Sequence, residues 1–125
     1  PTVDFKSRYP SFFKYKAGLL LTEGDVDQVT QHYVLSSQLE LDDPLVSPIY
    51  AQLDRSGPCF LVTAGHDILH DEGAHYAQLL QQANVKVCHR NYAHQLHGFI
   101  NLTSVSYQSK NDWIEISQLF KQFLN

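Results

Sequence analysis

The sequence predicts an α/β fold in which parallel strands are covered on both faces by helices. Three observations carry that prediction. Cys59-Phe60-Leu61-Val62-Thr63-Ala64 is a short apolar run closed by Gly65, Val85 to Tyr92 is a second strand-like run, and a segment of helical period lies between them. A strand, a helix of about a dozen residues and a strand make a βαβ unit, which requires parallel strands and a right-handed crossover. Sheets of this kind are buried on both faces by helices.

The elements follow in order. Residues 1–21 have no clean period; Pro1 and Pro10, with five aromatic residues between positions 5 and 15, predict a loop packed on an apolar surface. A helix is expected from Thr22, because Thr22-Glu23-Gly24-Asp25 has capping-box spacing and Val26, Val29 and Tyr33 follow at helical intervals. It should stop near Ser37. Asp42-Asp43-Pro44 and Ser47-Pro48 then mark an irregular connection, since each proline biases its predecessor away from helix. Asp71 and Glu72 open the helix of the βαβ unit, acidic groups being favoured at the positive end of its dipole. Ala74, Ala77, Leu80 and Ala83 form its inner stripe, and Asn84 suits a left-handed stop. In the second strand Val85 and Val87 share one face and Cys88 takes the other. A last helix is expected near Ser109, where Ser109-Lys110-Asn111-Asp112 repeats the capping-box spacing, with Trp113, Ile116, Phe120 and Phe123 as its apolar face. No internal repeat or flexible linker interrupts the chain, so residues 1–125 read as a single domain.

Composition narrows the function. At 125 residues, with 43% hydrophobic and 18% charged residues, the chain has the make-up of one soluble globular domain. A net charge of -4 and scattered Lys and Arg argue against nucleic acid, which demands a basic face. No apolar run approaches the roughly 18 residues of a membrane span. Pro1-Thr2-Val3-Asp4-Phe5 offers no apolar core of a signal peptide, and a chain opening on Pro is read as cut from something longer. Cys59 and Cys88 both fall in strand-like runs, which predicts buried, reduced thiols and a cytoplasmic location.

Open parallel sheets bind ligands at the carboxyl ends of their strands. Gly65-His66-Asp67 leaves the first strand there, and His94-Gln95-Leu96-His97-Gly98-Phe99 leaves the second. Adjacent strands lie about 4.8 Å apart, so Asp67 and His97 can come within hydrogen-bond reach. An Asp that holds one ring nitrogen of a His fixes its tautomer and frees the other nitrogen as a base. The plainer reading stands beside this one: an Asp after a strand commonly caps a turn, and a His beside Gly is commonly a loop residue. A metal site is the other alternative, with His66 and His70 four residues apart and Asp67, Asp71 and His75 close by. The strand end and helix start fall between them, so they share no single helical face as H-E-x-x-H does. No metal and no cofactor are expected.

One pattern weighs on the choice. Asp43-Pro44, Ser47-Pro48, Thr63-Ala64-Gly65-His66-Asp67-Ile68-Leu69, Asp71-Glu72-Gly73, Tyr76-Ala77, Tyr92 and His97-Gly98-Phe99 occur in that order. The series resembles the C-terminal portion of the hormone-sensitive-lipase-like α/β-hydrolases, a group of esterases, acetyl hydrolases and arylacetamide deacetylases. The resemblance implies the C-terminal part of an α/β-hydrolase fold, with residues 1–40 or so contributing to a helical cap and 41–125 forming core strands and helices. It implies a serine carboxylic-ester hydrolase with Asp67 as triad acid and His97 as triad base, acting on a small acyl ester. Ile68 stands where the group commonly has Pro, and His94 where it often has Gly.

The nucleophile motif G-x-S-x-G and the HGG-type oxyanion loop do not occur in these residues. Ser36, Ser37, Ser104 and Ser106 lack the glycine-flanked elbow and read as surface or capping serines. The chain by itself is therefore expected to be inactive. It should expose a raw sheet edge that recruits a homodimer partner or a complementing segment. A non-catalytic interaction or regulatory remnant of a hydrolase is the alternative, and the retention of Asp67 and His97 in full motif context speaks against it.

Overall fold

The computed structural model describes residues 2–125. In chain order they form α1 (Pro10–Tyr15), α2 (Glu23–Val29), β1 (Cys59–His66), α3 (His70–Gln82), β2 (Val87–Leu96) and α4 (Tyr107–Leu124), with one-turn helical segments in the connections. The predicted βαβ unit is present, and β1 pairs with β2 in parallel. Helix α3 packs on one face of the sheet and α4 on the other: Ala64, Tyr92, Phe99 and Ile116 make a buried cluster on the α4 side.

The strand pairing has one irregularity. Cys59 faces Val87 and the register runs evenly to Ala64 opposite Tyr92, but His66 then faces Leu96, so β2 has gained two residues. Gly65 sits at this bulge. A Cβ there would lie 2.2 Å from the carbonyl oxygen of Ala93, so only glycine lets the strands approach. As a result β2 runs on to Leu96, past the expected end at Tyr92, and His94 and Gln95 are strand residues rather than loop residues.

The helices keep their expected places with three corrections. First, α1 was expected as loop; Pro10 stands at its first turn, where the missing N–H costs nothing, and its six residues are too few to display a period. Its Ser11 N–H bonds Asp71 Oδ2 at 2.8 Å, and its hydroxyl bonds the Ile68 carbonyl at 3.0 Å. Second, α2 has the expected reciprocal cap, Thr22 with Asp25, but widens into a π-helical turn over Thr30–Val34 before a 3₁₀ turn ends at Ser37. Third, α4 starts at Tyr107 with Ser106 as cap, and Ser109 lies buried inside the helix instead of capping it. In α3, Ala77 and Leu80 are buried as expected, Ala74 and Ala83 only partly, and the deepest polar group is Glu72 at 4% exposure. Asn84 closes that helix with φ of 60°.

Both cysteines carry free thiols, but they are half-buried, not buried as expected. Cys59 opens β1 at the end of the sheet, where cover is thin, and burial still pushes its thiol up. Phe12 and Val26 of the N-terminal segment pack on Ile68 and Leu69, just before α3, while Phe5, Val34 and Val46 form a separate cluster within that segment. No helix among the described residues is long and apolar enough to cross a membrane.

Candidate active site

β1 ends at His66 and delivers Asp67 to the carboxyl edge of the sheet, 8% exposed. A short polar side chain leaving a strand bonds the backbone two residues on, and Asp67 Oδ1 accepts the Leu69 N–H at 2.9 Å. The Asp67 carbonyl accepts the His70 N–H at 3.1 Å and starts α3. These bonds orient the carboxylate and leave Oδ2 pointing along the edge. There it meets His97 Nδ1 at 2.8 Å.

His97 arrives from the neighbouring strand, one residue after the end of β2. Gly98 follows with φ of 66°, a left-handed turn that favours glycine, and Phe99 plunges into the α4-side cluster. The imidazole is therefore held by its strand, its turn and its carboxylate. Its side chain keeps 37% exposure, and Nε2 has no hydrogen-bond partner among the described residues. With Nδ1–H donated to Asp67, Nε2 presents a lone pair outward, the arrangement a general base requires.

Two hollows flank His97. One, of about 730 Å³, lies between the β1 face and α4 and is walled by Phe60, Val62, Phe99, Trp113 and Phe120. The other, of about 160 Å³, lies under the N-terminal segment and is lined by Phe5, Leu21, Val26, Val29 and Leu69. Both are chiefly apolar, and His97 is the polar group common to their walls.

Among the described residues, no three residues of the metal alternative come together. His66 meets Tyr15 edge to face at 5.8 Å, and His75 lies tilted against Tyr9 at 5.7 Å. His70 bonds Asp71 at 2.8 Å, while the other Asp71 oxygen holds Ser11. His89 bonds the Thr63 hydroxyl at 2.9 Å, and burial holds its imidazole below the ordinary range.

Sequence reasoning missed a second polar cluster. Asp112, taken for part of a cap, is 5% exposed and accepts from Gln95 at 2.6 Å, His94 at 2.8 Å and Gln108 at 2.9 Å. Burial opposes its charge, but the bonds from Gln95, Gln108 and His94 outweigh it and hold the carboxyl below its usual range. The signal was a polar residue at helical spacing from Ile116, on the face that α4 buries. The hydroxyl of Tyr92 is the one buried side-chain polar atom without a partner among the described residues. Burial pushes its phenol up to about 12.

Comparison with known proteins places this geometry. The alpha/beta hydrolase fold family matches residues 1–101. Lipase 2 of Moraxella sp. (strain TA144) is 39% identical over 105 residues, which cover 84% of this chain and 24% of that protein. Carboxylic ester hydrolase LipN of Mycobacterium tuberculosis (strain ATCC 25618 / H37Rv) is 36% identical over 103 residues, covering 82% and 27%. The solved structure of ester-hydrolase EH1AB1 from the metagenome of Lake Arreo, complexed with a derivative of bipyridine phosphonate, superposes with a TM-score of 0.86 at 31% identity, over 95% of this chain and 38% of that one. The chain thus spans about a quarter of the length of the two curated relatives.

Proposed function

Because the chain belongs to the alpha/beta hydrolase fold family, we propose that it supplies the acid and base of a serine carboxylic-ester hydrolase, Asp67 orienting His97. The nucleophilic serine and the oxyanion donors come from a segment outside these 125 residues. The observation that carries the reading is the 2.8 Å bond from His97 Nδ1 to Asp67 Oδ2 at the carboxyl ends of two adjacent parallel strands, with Nε2 left open. In the assembled site Nε2 takes the proton of the serine hydroxyl as its oxygen attacks the ester carbonyl. It then gives that proton to the departing alcohol, and water repeats the sequence on the acyl-enzyme. Asp67 stabilises the imidazolium formed in between.

The unpaired edge supports the same reading. β1 has β2 on one side and no strand on the other among the described residues, and parallel sheets are stable only when buried and extended. The free edge of β1 and the larger hollow beside it are where the completing segment docks, with a homodimer as the other occupant. The smaller hollow matches in size a cavity that holds benzene, so it suits a short acyl or small alcohol group. Residues up to about 40 act as the cap contribution, since they supply Phe5, Leu21, Val26 and Val29 to its walls.

The test is hydrolysis of a short-chain p-nitrophenyl ester. The chain alone turns over no appreciable substrate, and activity appears when a segment bearing the nucleophile elbow and oxyanion loop is supplied. His97→Ala abolishes the reconstituted activity, whereas His66→Ala costs far less. Robust turnover by the isolated chain, or a reconstituted enzyme indifferent to His97→Ala, overturns the reading.

A further inference from the structure

His97 lies between two points at which the chain is tied to α4. On its N-terminal side Asp112 takes hydrogen bonds from Gln95 at 2.6 Å and from His94 at 2.8 Å. On its C-terminal side Phe99 packs in the buried cluster that contains Ile116. Asp112 and Ile116 are one turn apart, so they project from the same face of α4. Ser109, three residues before Asp112 on that face, is 1% exposed and donates to Gln95 Oε1 at 3.3 Å. Gln95 itself is only 6% exposed.

We infer that Asp112 is a positioning residue, which anchors the end of β2 to α4 through Gln95 and His94 and so holds His97 at Asp67. This rests on the reading of His97 and Asp67 as a working pair. The physical reason is the bulge at Gly65. The extra residues in β2 take the strand out of even register just before His97, so β1 alone sets its position loosely. A buried carboxylate with three donors restores the lost constraint, since bonds to a charged, desolvated acceptor are stronger than neutral ones. Gln95 makes the buried tie, and His94, with a side chain 53% exposed, makes the outer one.

The experiment is proton and nitrogen-15 NMR of the 125-residue chain with labelled histidine, reading the Nδ1 proton of His97. In the unmodified chain that proton gives a slowly exchanging signal, and Asp67→Asn abolishes or displaces it. Asp112→Ala speeds its exchange with water by about tenfold or more, the scale of one lost bond to a charged group. Gln95→Ala acts in the same direction, and Glu115→Ala, on the exposed side of α4, leaves the signal unchanged. Backbone amides of Ala77 and Leu80 in α3 keep their exchange rates, which separates a local release of His97 from general loosening. If Asp112→Ala does not fold, Gln95→Ala decides alone. Unaltered exchange in these variants, with the signal still sensitive to Asp67→Asn, overturns the positioning role and leaves the pair standing. Absence of the signal in the unmodified chain, or indifference to Asp67→Asn, removes the pair and the inference together.

Discussion

Asp67 divides its two oxygens between two partners, Oδ1 on the Leu69 N–H and Oδ2 on His97. Asp67→Asn keeps the shape but places an amide where a carboxylate stood, which favours the wrong imidazole tautomer. In the reconstituted enzyme kcat is expected to fall by roughly 10⁴-fold, the scale known for that exchange in a serine-protease triad. A steady-state comparison at saturating ester checks this, and a loss below tenfold contradicts the role. Tyr92 makes the opposite case. Its buried hydroxyl finds no partner among the described residues, and an unmade bond costs about 1–3 kcal/mol. Tyr92→Phe is therefore expected to leave stability unchanged or raise it, measured as the urea midpoint; a clear fall would mean that the hydroxyl has a partner after all.

Elements are joined here by buried carboxylates as much as by apolar contact. Glu72 of α3 uses one oxygen, Oε1, to accept the N–H groups of both Val3 and Asp4, so it pins the N-terminal segment over the helix. Burial pushes its carboxyl up from the ordinary 4.5, although the two backbone bonds pull the other way. For an acid raised in the folded state, the associated stability is fully present below the unfolded value. It is lost as pH rises through the folded value. Glu72→Gln keeps an acceptor oxygen and removes the charge. Thermal midpoints of the variant should therefore fall less than those of the parent between pH 4.5 and neutrality; parallel curves would refute the argument. The strand pair depends on Gly65, where a Cβ would meet the Ala93 carbonyl at 2.2 Å. Gly65→Ala should cost about 1–3 kcal/mol or more, because backbone, not a mobile side chain, stands in the way. Chemical denaturation measures it, and a cost under half a kilocalorie would mean that the bulge gives way.

At the scale of the whole molecule, the edge of β1 left unpaired among the described residues lies beside the apolar face of α4. Trp113 and Phe120 keep 46% and 44% exposure along the large hollow, beside a strand with one open edge. A completing strand would cover both at once. Hydrogen exchange at the β1 amides that face the open edge should be fast in the isolated chain and slow after the nucleophile-bearing segment is added. Slow exchange in the chain alone, at monomer concentration, would show that the edge needs no partner.

What could be read from the residues alone was whatever has a local physical cause. Apolar runs of strand length, the Thr22 cap and the stop at Asn84 all follow from short-range pattern; the cap and the stop stand where the sequence placed them, whereas the second strand starts two residues later and ends four residues later than its apolar run. The meeting of Asp67 and His97 was legible as well, because parallel strands a few ångströms apart carry the residues at their ends to one edge. Tertiary structure decided the rest. The bulge opposite Gly65 arises from close approach of two strands, so the extension of β2 through His94 and Gln95 had no local signature. Asp112 and Ser109 mimic a helix cap in sequence, yet pairing with Gln95 across the fold buries them in mid-helix and moves the cap back to Ser106. Glu72 reads as a first-turn acid, and only the returning N-terminal segment makes it a buried acceptor. Local propensity sees one element at a time, whereas burial and partners belong to pairs of elements far apart in the chain.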